Sequence, residues 1–381
     1  MRIGIFGGSF DPVHREHIAL VRAAINSLRL DKLLVMPAKK PPHKPWKTLS
    51  SDVDRLQMCR LAFSEIPEVE VSDYEMEQGG TSYTYLTCRH FKEEYPEAEL
   101  FWLVGGDMLR DFPTWKEPED ILNNATLAVC GRNERNGWWL EEEQSFYQKF
   151  GKNFAQIAYN GADVSSTKIR VMAGAGMDLT PYMPMSVAEY IRDKGLYYIE
   201  GAREALALEK PERRAHSVRV AQLAAARALK LRIPEGTAIQ AALFHDCAKN
   251  LPVDSPYLEG FTMPKAWGKV PHSVAHQFMG AYVAEKHFRI VDQDLLNAIR
   301  YHTSGRPNMS ELEKLIFLAD MLEEERSYEG VDVLRGLFWR GQGLDECLEE
   351  ALFQTLEFLK QKGAEVFALT ALAYEFYKNK A

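Results

Sequence analysis

Two histidines three residues apart, His14 and His17, close the string Ile3-Gly-Ile-Phe-Gly-Gly-Ser-Phe-Asp-Pro-Val-His-Arg-Glu-His17. An apolar segment that runs into paired glycines and then into a helix start leaves unpaired backbone N–H groups and the positive end of the helix dipole beside both imidazoles. Such a strand-to-helix turn is suited to phosphate, and the imidazoles add donors to it. A second phosphate-seeking feature is Ser165-Ser-Thr-Lys-Ile-Arg170, where a cluster of N-cap residues precedes a basic first turn and Arg170 offers a bidentate cation. The latter half carries a different set: His216, the adjacent pair His245-Asp246 within Ala242-Leu-Phe-His-Asp-Cys-Ala-Lys249, His276, His302 and Asp320. Adjacent polar residues in an apolar, helix-like run are costly to bury unless something pairs them, and a metal ion does so.

The elements around the first two features read as alternating strands and helices. Lys32-Leu-Leu-Val-Met-Pro37 is a buried strand, and Pro41-Pro-His-Lys44 is a rigid turn with a basic pair. A capped helix follows from Ser51 to Phe63, with Asp54 in its first turn, and reads as scaffold. Gly80-Thr-Ser-Tyr-Thr-Tyr85 places Thr84 near a helix N-terminus, where backbone N–H groups can receive a carboxylate. Leu100-Phe-Trp-Leu-Val-Gly-Gly-Asp-Met108 repeats the strand, glycine turn and acid pattern of a parallel sheet, with Asp107 as its acid, and Trp115 follows a proline on a loop. Pro184 to Gly195 reads as a helix, with Ser186 as its cap and Gly195 as its stop. From about Ala202 strand-like segments vanish, and His216 reads as opening a helix. The division expected is an α/β domain over 1–200, Rossmann-like with a parallel sheet, and an all-α domain over 201–381, the boundary falling between Tyr198 and Pro211.

Composition narrows the classes. A chain of 381 residues with 46% hydrophobic and 26% charged residues is expected to form two globular domains. A net charge of −8 argues against a general nucleic-acid-binding surface. The five cysteines are dispersed and form no Cys-x-x-Cys pair, so neither a disulfide framework nor a thiolate metal site is indicated. With no signal-like start and no uncharged run of bilayer length, a cytoplasmic protein without a membrane partner is expected.

The string from Gly7 to His17 resembles the signature of the HxGH nucleotidylyltransferases, nearest the bacterial nicotinate-nucleotide adenylyltransferases, Ser165 to Arg170 is similar to that family's second ATP clamp, and Pro184 to Tyr197 resembles its terminal helix and final strand, which implies a strand at Leu196. The resemblance implies ATP contacts from Gly7, Gly8, Ser9, Phe10, His14, His17, Lys44, Ser165, Ser166, Thr167 and Arg170. It implies that Thr84, Asp107 and Trp115 serve nicotinate mononucleotide, with Mg²⁺ carried by ATP; a related transferase using phosphopantetheine is the alternative. Glu16 departs from the pattern, standing where the family has glycine. An acid beside ATP must turn away or repel phosphate, so glycine there is expected to leave transfer as active or better. The order His, His-Asp, His, His, Asp resembles the HD metal-dependent phosphohydrolases, in particular the symmetrical bis(5′-nucleosyl)-tetraphosphatases. It implies that His216, His245, Asp246 and Asp320 hold one metal and His276 and His302 a second. Donors without sulfur suit Fe²⁺ or Mn²⁺. The implied reaction is hydrolysis of diadenosine tetraphosphate to two ADP, with Lys249, Arg306 and Arg326 as candidates for the polyphosphate. His272, near His276, is read as a ligand or a spectator, and a nucleotide-sensing module is the alternative to a hydrolase.

Overall fold

A computed structural model of the chain describes residues 1–42, 48–131, 138–159, 161–162 and 164–378, with the backbone alone at 107 and 138–140. The chain clusters into two compact units, one comprising Met1–Ile169 and Leu179–Leu196, the other Arg170–Asp178 and Tyr197–Ala381.

The first unit alternates strands and helices: β1 (Arg2–Gly8), α1 (Arg15–Leu28), β2 (Lys32–Pro37), α2 (Asp52–Phe63), β3 (Val69–Val71), α3 (Tyr74–Gln78), α4 (Thr84–Glu94), β4 (Glu99–Gly105), α5 (Gly106–Asp111), α6 (Pro118–Asn124), β5 (Thr126–Gly131), α7 (Trp138–Phe150), β6 (Ala155–Ala158), the first turn of α8 (Ser166–Gly174), whose residues from Arg170 on group with the second unit, and α9 (Met185–Asp193). The sheet order is β3-β2-β1-β4-β5-β6 and every pairing is parallel. Ile3 of β1 lies opposite Lys32 of β2 on one side and Leu100 of β4 on the other, so the strand order reverses direction at β1. In open parallel sheets ligands bind at the carboxyl ends of the strands beside this reversal. β1, β2, β4 and β5 are nearly continuous buried apolar runs, as helices on both faces require. Gly7 is dictated by packing: a Cβ there would come within 2.8 Å of the Trp102 ring on β4.

The second unit contains α10 (Ala202–Ala207), α11 (Pro211–Ala228), α12 (Glu235–Phe244), α13 (His272–Lys286), α14 (Gln293–Tyr301), α15 (Glu311–Leu322), α16 (Val331–Trp339), α17 (Asp345–Gln361) and α18 (Ala368–Lys378). Small side chains such as Ala221, Ala224, Ala242 and Ala281 let these helices approach closely around one core with Leu243, Phe244, Leu296 and Phe317. Among the described residues no helix is long and apolar enough to cross a membrane.

Three local expectations are corrected. α9 begins at Met185 with Pro184 as its N-cap, so Ser186 lies inside the first turn and caps nothing. No strand forms at Leu196, because Tyr197 has φ 62, in the left-handed region, and breaks the extended path. α11 opens at Pro211, whose missing N–H costs nothing in a first turn, so His216 lies within the helix rather than at its start.

α2 is more than scaffold. Ser51 caps it by accepting the Asp54 N–H, and one turn in, the fully buried Arg55 fans its guanidinium across the two loops that follow β1 and β2. It donates to Ser9 O at 2.9 Å, Ala38 O at 2.7 Å and Ser50 O at 3.1 Å, and pairs with the Asp52 carboxylate at 2.7 Å. The turns after β1 and β2 are thereby tied to one cation. Arg55→Met, which keeps the stem but leaves these acceptors unanswered, should destabilise the first unit by about 2–4 kcal/mol, read as an earlier unfolding transition in denaturant.

Candidate active sites

At the end of β1 the chain turns through Phe10, buried despite a φ of 46, and reaches His14 at the N-cap of α1. The His14 backbone N–H donates to His17 Nδ1 at 3.2 Å, and the two rings stack with centroids 3.7 Å apart. The edge-on ring of Phe10, 5.1 Å away, closes the other side of His17. Burial lowers the His14 imidazole to about 4, and burial together with His14 holds His17 well below its ordinary range. Both rings are therefore neutral at pH 7. Because His17 Nδ1 accepts a hydrogen bond, its proton resides on Nε2, a neutral donor at the mouth of the turn.

The second motif comes to the same place. Ser166 Oγ donates to Pro12 O at 2.9 Å, and Ser165 Oγ accepts the Lys168 N–H at 3.2 Å, capping α8 next to the His14 turn. Thr167 follows in that first turn. Glu16 points to the β6–α8 loop, where its carboxylate accepts from the Tyr159 hydroxyl and from the Ala162 N–H at 2.8 Å. Arg170 behaves differently from the rest of its motif. It groups with the second unit, is buried, and holds Glu235 of α12 by two bonds of 2.6 Å. Lys44 lies outside the described residues.

Thr84 is the first residue of α4, and Asp107 lies in α5 directly after β4. Trp115 packs on Phe112 with ring centroids 5.3 Å apart. Next to it, Lys116 sits over the Tyr83 ring at 4.4 Å, so a cation–π contact joins the loops carrying Thr84 and Trp115.

In the second unit, side chains from α11, α13 and α15 and from the turns after α12 and α14 gather around Asp246, which is 1% exposed. Asp246 Oδ1 lies 3.2 Å from His276 Nε2 and 3.3 Å from His302 Nε2, and His245 Nε2 lies 3.6 Å from Oδ2. His216 Nε2 faces Asp320 Oδ1 at 2.8 Å. His245 and His302 share one device: each sits just past a helix end and gives its Nδ1–H to the carbonyl three residues back, Ala242 O at 2.6 Å and Ile299 O at 2.8 Å. This leaves each Nε2 with its lone pair turned to the cluster. Burial lowers His245 and His276 to about 4; burial also opposes ionisation of Asp246, but the three imidazoles around it outweigh that and hold its carboxyl well below the usual range. Neutral His245 and His276, an ionised Asp246 and a buried His245 Nε2 without a hydrogen-bond partner are a donor set that fits a divalent cation. Lys249 Nζ lies 2.8 Å from His276 Nε2, and Arg326 pairs with Asp320 at 2.7 Å. Arg306 is taken up by the buried Glu313 through two bonds, and His272 is exposed at the start of α13.

A Cytidylyltransferase-like family model matches residues 5–172 and an HD domain model matches residues 213–325. A protein of Mycoplasma pneumoniae named "Probable nicotinate-nucleotide adenylyltransferase/Ap4A hydrolase" is 32% identical over 86% of this chain and 92% of its own length. This chain belongs to that two-domain family. The Mycoplasma genitalium protein of the same name is 28% identical over 86% of this chain and 89% of its own length. A Clostridium tetani protein, "Probable nicotinate-nucleotide adenylyltransferase", is 34% identical and matches 51% of this chain and 97% of itself. The HD domain and its His/Asp cluster together make the second unit a divalent-metal centre.

Sequence reasoning missed two residues at that centre. Arg213 Nη1 reaches Asp246 Oδ2 at 3.1 Å, and Glu323 Oε1 receives His216 Nδ1 at 3.1 Å while its other oxygen binds Arg219 at 2.6 Å. Arg213 stands three residues before His216 and Glu323 three after Asp320, so helical spacing from a ligand was the available signal. A carboxylate behind a ligating imidazole fixes its tautomer and orientation. Glu323→Ala should therefore weaken metal binding about 10- to 100-fold, measured by competition with a chelator, with helical content unchanged.

Proposed function

We propose that the first unit transfers the adenylyl group of ATP to nicotinate mononucleotide, giving deamido-NAD and pyrophosphate, and that the second hydrolyses diadenosine tetraphosphate to two ADP. The observation that carries this reading is convergence within each unit. The His14–His17 turn meets the N-terminus of α8 through Ser166, and four histidines gather with Asp246 and Asp320 in three overlapping ligand groups.

In the transfer, an acceptor phosphate oxygen bonds to the α-phosphorus of ATP as the bond to pyrophosphate breaks. Among the described residues no activated nucleophile stands in the site, so catalysis is positioning and charge stabilisation. His17 Nε2–H donates to a phosphoryl oxygen, and the Gly7–Phe10 backbone, His14 and the α8 N-terminus with Ser165, Ser166 and Thr167 surround the polyphosphate. Lys44 and the Mg²⁺ of the nucleotide offset its charge. Thr84, Asp107 and Trp115 take the acceptor.

For the hydrolysis we assign His216, His245, Asp246 and Asp320 to one ion and His276 and His302 to a second, the ions being Fe²⁺ or Mn²⁺. Such ions lower the pKa of a water and stabilise charge on phosphoryl oxygens. Asp246 lies between the imidazoles, while Lys249 and Arg213 beside it, and Arg326 beside Asp320, receive the polyphosphate. Nucleotide substrates and buried free thiols suit a cytoplasmic enzyme.

Both reactions and metal per chain should be measured on the parent protein, His17→Ala and Asp246→Ala. His17→Ala should lose roughly 10²–10³ in adenylyl transfer and keep hydrolysis. Asp246→Ala should lose metal and hydrolysis together and keep transfer, because the two ligand sets belong to separate units. Full metal with intact hydrolysis in Asp246→Ala would refute the metal assignment, and a metal-loaded parent that binds diadenosine tetraphosphate without cutting it would make the second unit a sensor.

A further inference from the structure

Glu16 occupies a place where the resemblance expects glycine, and the structure gives it a fitted receptor. One carboxylate oxygen, Oε2, accepts both the Tyr159 hydroxyl and the Ala162 N–H, and the same hydroxyl reaches the Glu16 backbone carbonyl at 3.3 Å. Gly161, between the two donors, leaves the space. A Cβ at that position would stand 2.6 Å from Glu16 Oε2 and 2.8 Å from the Tyr159 ring. Burial, followed by the adjoining carboxylate, pushes the Tyr159 phenol far above its ordinary range, so it stays a donor at any physiological pH. Three positions, 16, 159 and 161, are thus adapted to one contact across 143 residues of sequence.

The place of the contact gives it meaning. Glu16 is the second residue of α1, one before His17, and Tyr159 directly follows β6, at the start of the loop that ends in the Ser165 cap of α8. We infer that Glu16 is a positioning residue of the transferase: it latches the β6–α8 loop onto the first turn of α1, so that the two phosphate-binding motifs hold one spacing. This rests on the proposed ATP site. The charge that would repel a triphosphate is spent on two donors, and a glycine at 16 offers no atom that could make the tie. The expectation that glycine would be harmless is thereby reversed.

The test uses the full chain with Glu16→Gly, Glu16→Gln and Gly161→Ala. Three quantities are read: hydrogen exchange at the Ala162 amide, affinity for α,β-methylene-ATP with Mg²⁺ by calorimetry, and the KM values of adenylyl transfer. In Glu16→Gly the Ala162 amide should exchange at least tenfold faster, and both the analogue Kd and the KM for ATP should rise about tenfold, the loss of a charge-assisted pair of hydrogen bonds, with the KM for nicotinate mononucleotide unchanged. Gly161→Ala should do the same by expelling the carboxylate. Glu16→Gln should stay within about threefold of the parent, because a single amide oxygen can accept both donors. Unchanged exchange in Glu16→Gly would show that no latch exists. Faster exchange with unchanged ATP affinity would show a latch without a positioning role; either result overturns the inference. A parent that binds the ATP analogue but transfers nothing to nicotinate mononucleotide would refute the proposed acceptor instead, and the exchange and affinity data would still judge the latch.

Discussion

A charge taken out of water has to be answered by its neighbours, and each unit of this chain is arranged around one that is. In the first, the Arg55 guanidinium is fully buried and answered by three loop carbonyls and Asp52, so the turns at the carboxyl ends of β1 and β2 are set by one side chain. In the second, Asp246 is answered by imidazoles drawn from α13 and from the ends of α12 and α14. The two cases differ in outcome. Arg55 satisfies its donors with protein atoms alone and makes rigid structure; Asp246 is surrounded by groups that are themselves lone-pair donors, and makes a place for cations.

Helix ends supply much of the remaining order. A helix leaves its last carbonyls without internal partners, and His245 and His302 use these to fix their tautomers while standing at the metal centre. At the opposite kind of terminus, the first turns of α1 and α8 come to the same edge of the sheet, with Ser166 bound to Pro12 between them. Neither arrangement needs long loops or unusual residues. Both follow from where strands and helices stop.

Legibility in the sequence followed the range of the interaction. β2 and α2 with its Ser51 cap were readable because apolar runs and caps act over a few residues. The His and Asp residues of the metal centre were readable by type, since few other side chains serve that chemistry. Features that depend on distant partners were not: Glu323 meets His216 from 107 residues away, Tyr159 meets Glu16 from 143, and Arg170 looked like an open cation until Glu235 was placed against it. The misplaced strand after Gly195 has a local cause of another kind. Leu196-Tyr-Tyr-Ile is apolar enough to be a strand, but periodicity carries no information about the left-handed φ of Tyr197.

All five thiols are buried, Cys59, Cys88 and Cys130 in the first unit and Cys247 and Cys347 in the second. Burial pushes each of them up, Cys130 and Cys347 to about 12 and the others further, so almost none is thiolate at neutral pH. A thiol in this condition is inert to peroxide and to alkylating reagents for as long as its surroundings stay closed. Each unit consequently carries its own covalent clock: the rate at which a cysteine is modified counts the openings of the unit that encloses it, and the modified residue names the unit that opened.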